Sequence, residues 1–178
     1  MWLSKRFSVV SFFLLVATFS LGACGFQPLY AKPNADEPAV GAHLSKIKVG
    51  HIPDRIGQQM RNLLVERLNP VGEPGAPFYT LTVSMTESLQ ELGIERDTSV
   101  TFARLIVSAN YRLVDRQTQD ILLESTARST NSYNVVESPY ATLVAEQDAR
   151  ERAIRQIADD IRLRLASYFK RAQQAPGS

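Results

Sequence analysis

Cysteine and histidine are almost absent from this chain. Cys24 is the sole thiol, and His43 and His51 are the only imidazoles in 178 residues. One thiol cannot close an internal disulfide, and two histidines make no zinc-ligand set. No metal ligand and no cofactor is expected, and no catalytic residue, because neither histidine stands in a nucleophile motif. An excess of charge is also missing: 20 Lys and Arg face 18 Asp and Glu, a net charge of +2. Binding of nucleic acid through bulk positive charge is thereby excluded. A Gly-rich phosphate loop is lacking too, since Val71-Gly72-Glu73-Pro74-Gly75 is broken by a proline and precedes a strand. No apolar run reaches the roughly 20 residues of a membrane-spanning helix. What is present is 44% hydrophobic residues, enough for a packed core.

The N-terminus reads as an address. Lys5 and Arg6 precede an apolar stretch from Phe7 to Phe19, interrupted only by Ser8, Ser11 and Thr18. Small residues follow, ending in Leu21-Gly22-Ala23-Cys24. A positive start, a short apolar core and a small-residue cut site make a secretory signal peptide over residues 1–23. The last four residues resemble the lipobox of bacterial lipoproteins. The resemblance implies cleavage before Cys24 and lipid on its thiol and new amino group, palmitate being the usual acid. Two or three acyl chains anchor stably where one binds only marginally. An ordinary signal peptide with a chance cysteine is the alternative. Asp after the cysteine favours inner-membrane retention in lipoproteins of enterobacterial type. Gly25 stands there instead, which points to the cell outer membrane, on its periplasmic side. Loss of Lys5 and Arg6 leaves 18 bases against 18 acids, so the mature chain has no net field.

Residues 24–42 read as the acylated cysteine and a Pro-rich linker. One domain is expected over residues 43–172, and a flexible tail over 173–178. Apolar residues alternate from Leu44 to Ile52, a short strand whose parity slips at its start. Asp54 is the expected N-cap of a helix bearing Ile56, Met60, Leu63, Leu64 and Leu68 on one face. Asn69-Pro70 ends it. From Phe78 the period becomes two: Tyr79, Leu81, Val83 and Met85 on one face, Thr80, Thr82, Ser84 and Thr86 on the other. That strand is expected to run towards Ile94. A second spans Thr98 to Val114, with odd positions 103–113 apolar. A third spans Ile121 to Val136, with Ile121, Leu123, Ala127 and Tyr133 at odd positions. Residues opposite each other in a hairpin share a face. A loop at 117–119 would therefore pair Arg116 with Asp120 and Arg112 with Glu124; a loop at 116–118 is the competing register. A long helix from about Ala141 to Arg171 carries Ile154, Ile157, Ile161, Leu165 and Tyr168 inward. Asp148–Arg152, Glu151–Arg155 and Asp160–Arg164 lace its outer face four apart. The order β-α-β-β-β-α predicts an α+β fold, a two-layer sandwich with a mixed four-stranded sheet and two helices packed on one face.

Candidate sites lie on the sheet face that the helices leave bare. Phe102 and Ile106 interrupt its polar pattern, and Tyr133, Val135, Val136 and Tyr140 follow on the next strand. Phe102, Ile106 and Tyr133 are the candidate partner-binding residues. Cover by the 87–97 segment is the alternative. Arginine outnumbers lysine 15 to five. Arg96, Arg104, Arg112 and Arg128 fall on or near the sheet, where a guanidinium could take a lipid phosphate bidentately. Plain salt bridging is the alternative. His43 and His51 are expected at solvent-exposed strand margins. Glu87, Glu91 and Glu95 are expected on a solvated face or loop rather than as a catalytic cluster.

The segment Cys24-Gly25-Phe26-Gln27-Pro28-Leu29-Tyr30 resembles the mature N-terminus of LptE-family lipopolysaccharide-assembly lipoproteins, where Cys-Gly-Phe-x-Pro-Leu-Tyr is typical. The succession of elements is similar as well. The resemblance implies a domain that sits inside the LptD β-barrel, plugs its lumen, helps it assemble, and assists lipopolysaccharide delivery to the outer leaflet. Arg96, Arg104, Arg112 and Arg128 then become candidate lipopolysaccharide contacts. Two other readings stay open. One is an accessory lipoprotein of another envelope lipid-transport system; the other is a periplasmic lipoprotein enzyme.

Overall fold

The computed structural model describes residues 40–92 and 101–174. A short helix α1 (Val40–Leu44) leads into strand β1 (Ile47–Val49). Helix α2 (Asp54–Leu68), three long strands β2 (Tyr79–Leu92), β3 (Thr101–Asp115) and β4 (Ile121–Val135), and helix α3 (Pro139–Gln174) follow. The sheet order is β1-β2-β3-β4. β1 runs parallel to β2, and the two later pairs are antiparallel. This is the expected mixed sheet with helices packed on it.

The period-two pattern sorts the strands as anticipated. Leu81 and Val83 on β2, and every odd position from Ala103 to Leu113 on β3, are buried. They meet α2 through Met60, Leu64 and Leu68, and α3 through Ile154, Ile157, Ile161 and Leu165. Small side chains let α3 lie close: Ala149, Ala153 and Ala158 are fully buried between the isoleucines. At about 25 cal/mol per Å² this burial is the main stabilising term of the domain. Gly57 brings α2 against the chain that enters it. A Cβ there would stand 2.7 Å from Ile52 Cγ2 and 3.0 Å from the Ile52 carbonyl group.

Several local expectations are corrected. The strand anticipated from Leu44 is only Ile47–Val49, because Leu44 closes α1 instead. That explains the slipped parity. Asp54 is not the cap of α2: Pro53 holds the cap position, and Asp54 is the first helical residue, at φ +67°. The first strand of the meander extends to Leu92. Residues 93–100, which include Ile94, Glu95 and Arg96, lie outside the described residues. So do residues 1–39, with Cys24. The long helix runs on to Gln174, past the expected start of the tail.

The β3–β4 hairpin follows one of the two anticipated registers, then departs from it. Arg112 stands opposite Glu124 and Leu113 opposite Leu123, but Val114 opposite Ile121. Leu122 is thus an extra residue, a β-bulge. Beyond it Asp115 N–H donates to Asp120 O (3.0 Å), and Arg116 N–H turns away to Phe78 O (2.9 Å). Asp115 Oδ1 accepts the N–H groups of Gln117 (2.7 Å) and Thr118 (3.2 Å), and Gln119 takes φ +64°. The bulge turns Ile121 off the apolar face, where it had been expected, and leaves it half exposed.

Candidate binding face

Helices cover one face of the sheet, and no described residue covers the other. Its rows follow from register. Gln90, Arg104 and Ser132 lie side by side, as do Ser88, Ile106 and Thr130. The next rows are Thr86, Ser108 and Arg128, then Ser84, Asn110 and Thr126, then Thr82, Arg112 and Glu124. Hydroxyls and amides dominate, and Glu124 is the only carboxylate in these rows. Phe102, 50% exposed, and Ile106 stand two residues on either side of Arg104. The even positions of β2 are polar throughout to Gln90, and residues 87–92 of the 87–97 segment extend the sheet; the rest of that segment lies outside the described residues.

The arginines form a line rather than a cluster. Arg104, Arg128 and Arg112 occupy levels four residues apart along the strands, about 13 Å from one to the next. Arg112 is held by Glu124 at 2.7 Å. Arg104 and Arg128 have no acidic partner among the described residues. Thr126 donates to Asn110 Oδ1 at 2.7 Å, which fixes the centre of the face. Among the described residues the arrangement offers two guanidinium groups without an acidic partner, two apolar side chains beside one of them, and a field of hydroxyls.

Tyr133 does not belong to this face. It is odd-numbered, stands opposite Ala103, and is 7% exposed beneath α3. Burial, chiefly, and then Glu146 hold its phenol above the usual tyrosine range. Its removal from the partner-binding group follows from the same parity that places Phe102 and Ile106 outward.

The acids and histidines take structural positions. Glu87 accepts from Arg150 Nε (2.9 Å) and Nη2 (2.6 Å), and Glu146 accepts from the same Nη2 at 2.7 Å. The Arg150 guanidinium is held above its ordinary range, first by the Glu87 hydrogen bonds. Glu87 is therefore an ion-pair partner at the sheet–helix margin, and Glu91 stays exposed on the same strand. His51 is exposed, as expected, with its ring nitrogen 3.2 Å from Gln58 Nε2. His43 corrects the expectation of a solvated strand margin. It sits in α1, stacks on Phe169 with centroids 5.0 Å apart, and meets the Tyr79 hydroxyl at 3.2 Å. Among the described residues no group of three or more His, Cys, Asp or Glu is placed to hold a metal ion. No helix among them is long and apolar enough to cross a membrane. A cleft of about 290 Å3 between α2, β2 and α3, lined by Asp54, Ile56, Glu87 and Arg150, went unseen in the sequence.

A sheet backed by helices on one side, with an open face of arginine, hydroxyl and apolar side chains, defines a binding module. The residues from 43 to 165 match the family model of LptE, lipopolysaccharide assembly. The chain belongs to the LptE family. It is similar to an uncharacterised protein of Rickettsia prowazekii, with 27% identity over 159 residues, 89% of this chain and 97% of that one. Among solved structures, a candidate lipoprotein from Caulobacter crescentus has a TM-score of 0.58 and 24% identity. That likeness covers 79% of this chain and 100% of the other. A minor lipoprotein from Acinetobacter baumannii has a TM-score of 0.57 and 19% identity, over 69% of this chain and 92% of that one. At these identities the structural likenesses speak to the fold.

Proposed function

We propose that this chain is an acylated outer-membrane lipoprotein that fills the lumen of an LptD-type β-barrel. It supports assembly of that barrel and assists delivery of lipopolysaccharide to the outer leaflet. Membership of a lipopolysaccharide-assembly family supports this reading. The observation that carries it furthest is the open face: Phe102 and Ile106 flank Arg104, which has no acidic partner among the described residues, with Arg128 one level away. A side chain set of this kind suits a phosphorylated amphiphile, whose phosphate takes a guanidinium and whose chain takes the apolar neighbours. It equally suits the polar inner wall of a large barrel. The near-neutral mature chain can enter such a lumen without setting up a strong field.

The lipid belongs on Cys24. Cys24→Ala is expected to abolish incorporation of radiolabelled palmitate and to release the chain from membranes. Retained label would overturn the acylation. Arg104→Glu together with Arg128→Glu is expected to weaken lipopolysaccharide binding by tenfold or more, with the melting temperature kept. Binding unchanged by the double substitution would remove this face from the ligand path.

A further inference from the structure

Among the described residues the sheet has a free edge at β2. β1 ends at Val49, and its last contact is Gly50 N–H to Leu81 O at 2.9 Å. The N–H and C=O of one strand residue point to the same side, and the sides alternate along the strand. Leu81 O accepts from Gly50 N–H on the β1 side, so odd residues of β2 face that edge and even residues bond to β3. Beyond Leu81 the amides and carbonyls of Val83, Met85, Glu87, Leu89 and Glu91 therefore point outward. No described residue pairs with them. An unpaired edge of this length is a template for another strand.

A cleft runs beside that edge. The 290 Å3 space adjoins one of about 240 Å3 that reaches Met85 and Val107; both are lined by Asp54, Ile56 and Glu87. Acids line the same side: Asp54 and Glu91 have no basic partner among the described residues, against one such cation, Arg55. On its other side β2 presents Ser84, Thr86, Ser88 and Gln90, all uncharged.

We infer that the β2 edge from Val83 to Glu91 accepts an extended segment of a protein partner, added as a fifth strand. Side chains opposite each other share a face. The added strand thus presents apolar residues opposite Met85 and Leu89, and basic residues opposite Glu87 and Glu91. Its alternate, hydroxyl-bearing side chains join the open face. Main-chain hydrogen bonds supply affinity, and the cleft and its acids supply choice. This binding does not depend on the barrel reading, and its test contains no barrel.

The test is amide hydrogen exchange, read residue by residue, on the full mature chain. The probe is the peptide Lys-Thr-Val-Thr-Lys-Thr-Val-Thr-Lys, whose pattern reads alike in both directions. In the free chain, Met85, Glu87 and Leu89 amides are expected to exchange at least tenfold faster than Thr86 and Ser88. The peptide is expected to slow them tenfold or more; a version with Glu for Lys is not. Leu89→Pro removes one outward N–H without touching the β3 ladder, and is expected to abolish that protection while the melting temperature holds. Three results would overturn the inference. Outward amides already slow in the free chain at every concentration would mean that the edge is filled by the chain itself. Protection that appears only with rising protein concentration would mean a second copy. Outward amides untouched by millimolar peptide would mean that the edge accepts no strand of this pattern.

Discussion

Gly57 and Tyr111 show what single residues decide. Gly57 has an ordinary helical position, and its constraint is purely spatial: its missing side chain makes room for Ile52. Gly57→Ala is expected to cost about 1–3 kcal/mol in chemical denaturation, since the helix must move away from backbone as well as side chain. Tyr111 is fully buried, and its hydroxyl, beside Ser125 and Arg164, makes no hydrogen bond of ordinary geometry. Tyr111→Phe is expected to leave neutral-pH stability unchanged or to raise it by about 1 kcal/mol. Burial, before any charge, pushes the phenols of Tyr79, Tyr111 and Tyr133 upward. The unfolded chain loses such protons near pH 10 while the folded one keeps them. Stability from this source is full below about pH 10 and is lost as pH rises through the folded values. Melting temperature is expected to fall above pH 10, less steeply in Tyr111→Phe. Neither the space beside Gly57 nor the unpaired hydroxyl leaves a trace in residue order. The left-handed backbone at Asp54 leaves none either.

At the scale of elements, periodicity carried most of the information. Alternation in β2 and β3 located the buried face residue by residue, because a one-residue slip would exchange core and solvent. The three acid-before-base pairs on α3 are ion pairs in the fold: Asp148–Arg152, Glu151–Arg155 at 3.4 Å and Asp160–Arg164 at 2.9 Å. Three features were not legible. α1 spans five residues and buries only Leu44, too little for a helical period to register. The bulge at Leu122 breaks parity, so alternation alone puts Ile121 on the wrong face. The Glu87–Arg150–Glu146 link joins residues 63 apart, which spacing along the chain cannot reveal. That link ties β2 to α3 with a side chain only 26% exposed. Arg150→Met is expected to destabilise by about 1–2 kcal/mol at pH 7, leaving two carboxylates facing each other.

For the whole molecule, the layers and the open face were readable from the strand pattern, and parity alone separates Phe102 and Ile106 from Tyr133. Partner and cargo were not, because they lie in no single motif of the domain; the seven residues from Cys24 to Tyr30 and the family match supply that direction. The central claim is that the open face seats this lipoprotein in a barrel. It is tested most directly by co-purification: the full chain, tagged at its C-terminus, drawn from detergent-solubilised outer membranes beside its Phe102→Asp, Ile106→Asp variant. The account predicts a stoichiometric LptD-type barrel with the parent chain, and loss of that barrel from a variant whose melting temperature is unchanged. A barrel retained at full stoichiometry by the variant would contradict the role of the face. Inner-membrane transporter subunits in place of any barrel would contradict the function itself.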